Sequence, residues 1–600
     1  MKSLMLLFRS ILIEYGDMFN TSTTRDLKTV ESRFENEGLS FLTISLPNFG
    51  KDFEKSLDQG YVDRSLFQGF SWRAGLPQLF GGFLDLIFDR TSGVLLDAPD
   101  IDSIRAVRQL TLQFGKIEIE CSPERKDAAV QKYIECEREV RISDKSFDSL
   151  KEPFERIGGL LWNDIFSRMD QSIHDLSLIP KHGPGATADK LVGNNKFLVK
   201  SWPSRLEEEF PISEYAFHSY AAYLSALPAL NFLEPGQELP VKVTLVPKTL
   251  KTPRIICVEP TAMQYMQQAL MRNFEENLAL DDISAGLIDY SSQVPNQELA
   301  KSGSLTGALA TLDLSEASDR VSNQHVRSLM RNFPHLLRGV DACRSRKAVD
   351  PSGTVHRLAK FASMGSALCF PMEAVVFCTL VFVGIERKLN TRLTKKDIKS
   401  FLGKVRIYGD DIIVPVDFVD SVISTLEDFG LKVNAGKSFW TGKFRESCGK
   451  DYYDGIDISI VRLRQVLPSS RKHSSEIAAT VSFRNELYKR GLWNTVKHLD
   501  SIIERVIPFP RTAETSPALG RFSFLGFDQE RMHPSLQRPL VRAAVLKAKP
   551  RPSNILDEGD AALQKWFLKT GELPFADVNH LSYAGRPLSV DIKIGWTHSY

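Results

Sequence analysis

The clearest patterning of apolar and polar positions lies between residues 308 and 433. Ala308 to Leu314 (ALATLDL) reads as a short buried strand, and helical stretches follow it. The longest apolar run, Ala374 to Ile385, reads as a buried helix; alone it is shorter than the roughly 20 residues that span a bilayer. Strand-like stretches around Val405–Tyr408 and Asp411–Val414 then flank a Gly409-Asp410 pair, which is hairpin chemistry. Val419, Val422, Ile423 and Leu426 recur at i, i+3, i+4, i+7 and predict an amphipathic helix. Asp417 is its candidate N-cap and Gly430 its candidate C′ residue. Leu431-Lys432-Val433 reads as a closing strand. The order is β-α-β-β-α-β, the split βαβ or ferredoxin-like arrangement. In it the first strand can lie beside the hairpin, so that Asp313 faces the Asp410-Asp411 turn.

Outside this region the signals are sparser. Leu4 to Phe8 is apolar but Arg9 interrupts it, and no small-residue cleavage site follows. An amphipathic helix is predicted there, not a signal peptide, and no transmembrane segment is predicted. Irregular loops are predicted from Pro508-Phe509-Pro510-Arg511 through Ser516-Pro517, and again at Lys547-Ala548-Lys549-Pro550-Arg551-Pro552. No internal repeat or low-complexity tract occurs.

Composition changes this picture in three respects. A chain of 600 residues is too long for one core, so several subdomains are expected. The formal net charge of +2 excludes a uniformly basic nucleic-acid coat but leaves room for a basic channel beside an acidic centre. The seven cysteines form no C-x-x-C pair, so a disulfide framework or zinc site is not expected and a reducing compartment fits.

The hairpin turn sets two adjacent carboxylates, Asp410 and Asp411, at the edge of a buried sheet. They are either a solvated tip or a site for divalent cations, since like charges repel and burial without compensation is costly. With Asp313 they could hold two Mg²⁺ ions about 3.5–4 Å apart, which suits in-line phosphoryl transfer. Lys248, Lys251 and Arg254 recur every third residue in the Pro-punctuated segment Val246–Ile256. They read as an exposed basic loop or as one cationic side of an extended stretch lining a phosphate channel. Asp319, six residues after Asp313, reads as a helix-start acid able to accept a hydrogen bond from a hydroxyl. Ser363-Met364-Gly365-Ser366 offers small residues for close approach. His182-Gly183-Pro184-Gly185-Ala186-Thr187 lacks the Lys-Ser/Thr of a P-loop and reads as a structural turn.

These motifs, in this order, resemble those of viral RNA-dependent RNA polymerases. They are most similar to the replicase catalytic subunits of the leviviruses, the small positive-strand RNA bacteriophages. The segments carrying the resemblance are VPKTLKTPRIICVEP (246–260), LDLSEASDR (312–320), ASMGS (362–366), YGDD (408–411) and FRESCGKDYYDG (444–455), with HGPGAT (182–187) beside them. The resemblance implies an α+β right-hand polymerase: fingers within 1–305, a split βαβ palm over 306–460, and a mostly helical thumb within 461–600. It implies that Asp313, Asp410 and Asp411 bind Mg²⁺, with Mn²⁺ able to substitute. Lys248, Lys251 and Arg254 would line the triphosphate path. Asp319, Ser363 and Ser366 would lie near the incoming ribose, and Lys437 would be the acid that protonates pyrophosphate. Residues 444–455 would support the primer strand. RNA template and product, ribonucleoside triphosphates, host elongation factors Tu and Ts and a ribosomal RNA-binding protein are the implied partners, in the host bacterial cytoplasm. One departure stands out: Met364-Gly365-Ser366-Ala367 occupies the place of the usual Met-Gly-Asn-Gly. A reverse transcriptase and a non-catalytic RNA-binding relic are the competing readings. The Asp319 position and the basic segment speak against the first, and the three retained acids against the second.

Overall fold

The computed structural model describes residues 2–183, 185–549, 559–569 and 589–600. Its first helix, α1 (Lys2–Met18), is amphipathic as the sequence predicts. Leu4, Leu7, Phe8, Ile11, Leu12 and Tyr15 are all buried. Glu14 lies on the same buried face, and its carboxylate accepts from the backbone N–H groups of Asn494 and Thr495 at 2.7 and 2.8 Å. Those are orphan donors of a distant helix start, so the N-terminal helix caps an element near the other end of the chain. Helices α2 (Leu46–Gln59) and α3 (Ile101–Leu112) share this core with Phe439, Phe444 and Leu487. Between them Arg108, fully buried, is 2.9 Å from Glu54 and 2.8 Å from Asp451. Two long helices follow, α4 (Pro123–Ser143) and α5 (Lys151–His174).

Next comes an antiparallel hairpin of β1 (Val241–Val246) and β2 (Arg254–Val258), and then helix α6 (Thr261–Leu278). Strand β3 (Leu309–Leu312) is buried throughout and leads into the short helix α7 (Ala317–Arg320). Strands β4 (Lys347–Val349) and β5 (Val355–Arg357) extend the first hairpin into a four-stranded sheet of order β2-β1-β4-β5. The apolar run forms part of α8 (Cys369–Leu389). The whole helix is longer than the run alone and would pass for a membrane span by length, but 89% of its most apolar window is buried inside the fold. It is the central core helix.

The hairpin of β6 (Arg406–Tyr408) and β7 (Asp411–Pro415) forms where the sequence predicts it. Strand β7 pairs antiparallel with β3, Ile412 opposite Leu312. Helix α9 (Val419–Asp428) follows. Asp417 is not its N-cap. Pro415 is the extended residue, and a 3-10 turn over Val416–Phe418 runs straight into the helix. Gly430, at φ +78°, ends the helix as expected. The closing strand predicted at 431–433 is not a regular strand: its only pairing along the far edge of β3 is an isolated bridge, Leu314 to Val433, followed later by Thr311 to Phe439. Residues 434–438 bulge out between these bridges. The spatial order β6-β7-β3-(433/439) still is that of the split βαβ fold.

The hairpin β8 (Phe444–Ser447) and β9 (Lys450–Tyr453) comes next, then α10 (Ser474–Lys489) and α11 (Trp493–Glu504). Where the sequence predicts mostly helix, an antiparallel sheet follows instead. Strands β10 (Ala518–Leu519) and β11 (Arg531–Met532) pair with one edge of β12 (Pro539–Lys549), and β13 (Ser589–His598) with the other. Ala544, Ile592 and Ile594 face α10 and α11, so the sheet buries an apolar face that a charge-rich sequence conceals. Lys547–Lys549 lie in β12 and not in a loop, while 550–552 fall outside the described residues. The segment 508–517 is irregular, as predicted.

Arg108→Met leaves Glu54 and Asp451 buried without their cation. Removing one partner of a buried ion group costs about 3–5 kcal/mol. Urea titration should show that loss; a change within about 0.5 kcal/mol, the usual range for a surface site, would mean the trio is not buried as described.

Candidate active site

The two-residue turn between Tyr408 and Asp411 depends on Gly409. It has φ +61°, and a Cβ there would lie 2.3 Å from the Phe370 ring. Phe370 in turn packs edge-on against Tyr408 and Tyr290 at 5.4 Å. The turn is thus propped from below by the first residues of α8. Because Ile412 lies opposite Leu312, the next pair outward is Asp411 and Asp313. Asp313 thus lies near the turn that carries Asp410 and Asp411, close enough for each to feel its charge.

Their surroundings differ. Asp313 Oδ1 accepts from Asn434 Nδ2 and Oδ2 from Lys437 Nζ, both at 2.9 Å. Both donors come from the 434–438 bulge, whose backbone rejoins the strand through Asn434 N to Asp313 O at 2.8 Å. Burial opposes the charge on Lys437, but Asp313 and Glu446 outweigh it and raise its pKa above the ordinary lysine value. Asp410 and Asp411 have no cation of this kind. Burial and then the Asp313 charge raise the Asp410 pKa. Burial and then Asp410 push Asp411 up to about 6, against the help of Cys448 N at 3.2 Å and Ser447 Oγ at 3.3 Å. Among the described residues no group of three such acids is arranged to hold a metal ion, and Asp313 is paired with Lys437. Asp410 and Asp411, hard oxygen ligands in no ion pair among the described residues, suit a divalent cation, and with Asp313 beside them they are the residues that could hold one.

Two further acids lie close by and carry no sequence signal of their own. Glu446, on β8, is pushed up to about 7 by burial and by Asp451. Glu373, on α8, is pushed up to about 8 by burial, and one of its oxygens has no hydrogen-bond partner.

Of the two readings of the cationic stretch, the structure shows the exposed loop and not one extended segment. Lys248 and Lys251 lie in the loop between β1 and β2, and Arg254 opens β2 opposite Val246. Chain reversal at the prolines breaks the threefold spacing. All three are exposed, and none pairs with a carboxylate among the described residues. Burial, Arg254 and Lys437 lower the Lys248 pKa, while Asp410 and Asp313 act the other way. The loop therefore faces the acids. Other cations join it from far along the chain. Lys51 is lowered by burial and by Lys251, and Lys116 is pushed down to about 8 by burial and Arg462.

Asp319 lies in the first turn of α7. Its Oδ1 accepts from Ser363 Oγ at 3.1 Å and from Lys360 Nζ at 2.9 Å. Ser366 is not part of this group: its hydroxyl donates to Gln267 Oε1 at 3.0 Å. The Ser363–Ser366 loop is pressed on β2, where Cys257 N donates to Met364 O at 2.8 Å and a Cβ on Gly365 would lie 2.0 Å from Cys257 O. His182 stacks on Tyr265 at 4.3 Å, and Lys196 Nζ donates to the carbonyls of Gly183 and Gly185. That segment is a pinned turn; Pro184 falls outside the described residues.

Residues 237–474 match the family model described as RNA replicase, beta-chain. The chain is 36% identical over 230 residues to the RNA-directed RNA polymerase subunit beta of Qbeta virus (strain MX1), covering 38% of this chain and 36% of that one. It is 36% identical over 216 residues to the RNA-directed RNA polymerase beta chain of Escherichia phage MS2, covering 36% of each. The match thus spans little more than a third of these relatives' length. Residues 237–474 contain every candidate site residue named from the sequence, and the resemblance to phage replicases drawn from the motifs is borne out over this segment. A solved RNA-dependent RNA polymerase of a human picorbirnavirus is similar at 12% identity and a TM-score of 0.31 over 44% of this chain and 57% of that one, too slight a likeness to add to the fold.

The raised Asp411 pKa has a stability consequence. A carboxyl at about 6 when folded and 3.8 ordinarily binds its proton more tightly in the folded state. It therefore destabilises the ion-free protein above pH 6, and that penalty fades as pH falls through 6 towards 4. Asp411→Asn should stabilise the protein in chelator at pH 7.5 by the order of 1–3 kcal/mol, with a smaller gain at pH 5. Thermal unfolding at the two pH values measures this, and a destabilised variant at pH 7.5 would contradict it.

Proposed function

We propose that this chain is an RNA-directed RNA polymerase that adds ribonucleoside triphosphates to a growing RNA strand on a viral RNA template. The observation that carries the reading is the register of β3 and β7. It sets Asp313 opposite Asp411 beside the Asp410 turn, within the field of the unpaired Lys248. The match of residues 237–474 to replicase beta-chains supports it. In this reading residues 306–460 are the palm, with fingers within 1–305 and thumb within 461–600.

Asp313, Asp410 and Asp411 would hold two Mg²⁺ ions, or Mn²⁺ in their place. Bound there, the ions would supply positive charge for an attacking 3′-hydroxyl and a departing pyrophosphate. Lys248, Lys251 and Arg254 bind the triphosphate as unpaired cations. Lys437 carries its proton on the Asp313 side of the site, where pyrophosphate would leave, and is the proposed donor to it. Asp319 with Ser363 reads the ribose, whereas the Ser366 hydroxyl is committed to Gln267. The relatives' names, subunit beta and beta chain, support a subunit of a larger complex. Elongation factors Tu and Ts and a ribosomal RNA-binding protein are the proposed partners, in the bacterial cytoplasm.

The test is synthesis of labelled RNA by the purified chain on an RNA template with Mg²⁺, with and without bacterial extract. Asp410→Asn should lower the rate at least about 10²–10³-fold, the scale of losing a key electrostatic stabiliser. RNA binding should persist, because phosphate contacts elsewhere carry it. Near-normal elongation by that variant would remove the metal assignment. Use of deoxyribonucleotides as readily as ribonucleotides would favour a reverse transcriptase.

Arg254→Ala should reduce kcat/KM for nucleotide at least about tenfold, since a charge-assisted bond contributes about 1.5–3 kcal/mol. Filter binding to RNA should hold. The opposite split would place Arg254 on the template path.

A further inference from the structure

Asp319 is gripped from behind by a buried lysine that no motif announces. Lys360 is wholly buried, with its ammonium 2.9 Å from Asp319 Oδ1 and 3.4 Å from Glu137 Oε1. The same ammonium sits 3.6 Å above the Tyr133 ring. The Tyr133 hydroxyl lies 3.2 Å from Ser363 Oγ, which is the other donor to Asp319 Oδ1. Tyr133 and Glu137 are one turn apart on α4 and face the same way. Helix α4 is fastened to α7 on both sides of Asp319. Glu139 pairs with Arg320 at 2.5 Å, Lys132 pairs with Glu316, and Cys136 Sγ meets Asp319 O at 3.4 Å.

Two features separate this arrangement from ordinary packing. First, a buried ammonium is costly, and an apolar side chain of similar length would fill the space. Burial opposes the charge, yet Asp319 and Glu137 outweigh it, so the lysine stays protonated. Second, both donors to Asp319 fall on Oδ1. Among the described residues Oδ2 accepts no hydrogen bond, and the side chain is 25% exposed. One oxygen is held and the other is offered outward.

We infer that Lys360, seated on Tyr133 and Glu137 of α4, is a positioning residue for sugar choice: it fixes the Asp319 carboxylate so that Oδ2 alone faces an incoming ribose. The inference rests on the polymerase reading. A 2′-hydroxyl donates to that oxygen, and a deoxyribonucleotide leaves it unpaired. A site built to bond a substrate hydroxyl rejects the analogue lacking it only while its acceptor stays in place. Without Lys360 the carboxylate is free to turn into the space the ammonium leaves, and the discrimination falls.

The experiment compares kcat/KM for GTP and dGTP on one RNA template, with thermal unfolding alongside. In Lys360→Met the GTP preference should drop at least about tenfold, mostly through a smaller penalty for dGTP. Glu137→Gln keeps the Lys360–Asp319 pair; it should lower the melting temperature and leave the preference within about twofold. Tyr133→Phe removes only the hydroxyl behind Ser363 and should cost about threefold in preference, which keeps the inference testable if Lys360→Met does not fold. Unchanged preference in both Lys360→Met and Tyr133→Phe overturns the inference and leaves the polymerase reading standing. So does an equal loss of preference in Glu137→Gln, which marks a merely structural cluster. A wild type that incorporates neither nucleotide overturns the polymerase reading, and the inference with it.

Discussion

The repulsion between Asp410 and its neighbouring acids is the constraint around which the centre of this molecule is arranged. Adjacent carboxylates on a two-residue turn would ordinarily splay into solvent. Here the Phe370 ring under Gly409 and the buried strand β7 hold them at the sheet end. Their raised pKa values are the electrostatic signature of that confinement. A cationic rim answers it, drawn from Lys51, Lys116, Lys248 and Lys251, which lie on segments far apart in sequence. The rim cations in turn repel one another. Lys248 is held between the two signs, its charge favoured by Asp410 and Asp313 and opposed by Arg254 and Lys437.

Two acids near the hairpin are treated differently. Asp313 is satisfied within the protein, by Asn434 and Lys437 of the bulge. Asp319 is half satisfied, one oxygen on Lys360 and Ser363 and one outward. Asp410 has neither arrangement. The four carboxylates therefore grade from internally neutralised to open, and the most open lie on the hairpin. The irregular edge strand belongs to the same design. A regular strand at 433–439 would have placed alternate side chains above and below the sheet. The bulge instead turns Asn434 and Lys437 to the same carboxylate.

Much of this was legible in the sequence because it is local. The hairpin needs only an apolar run on each side of Gly409-Asp410, and the core helix only a continuous apolar stretch. The pairing of β3 with β7 followed from topology rules and held to the register. What escaped depends on contacts between segments remote in sequence. Lys360 looks like any surface lysine beside Phe361. Only the arrival of α4 buries it. The basic segment left a loop and an extended face both open because its spacing is regular, and only the antiparallel pairing of β1 with β2 decides for the loop. Asp417 was taken for a cap because the 3-10 turn after Pro415 leaves no periodic trace. The C-terminal sheet was missed since β12 and β13 hide their apolar face in charged surroundings, with Ala543 and Ala544 in place of larger residues.

The capping of Asn494 and Thr495 by Glu14 carries a consequence for how the chain comes into being. Glu14 and Asn494 are separated by 480 residues. At translation speeds of about 5–20 residues per second, roughly 25 to 95 seconds pass between synthesis of the first and of the second. Throughout that interval Leu4, Leu7, Phe8 and Ile11 lack the part of their cover that α10 and α11 supply. Closing so long a loop is also slow in itself. The apolar face of α1 therefore stays partly open until the segment around Asn494 and Thr495 has been made.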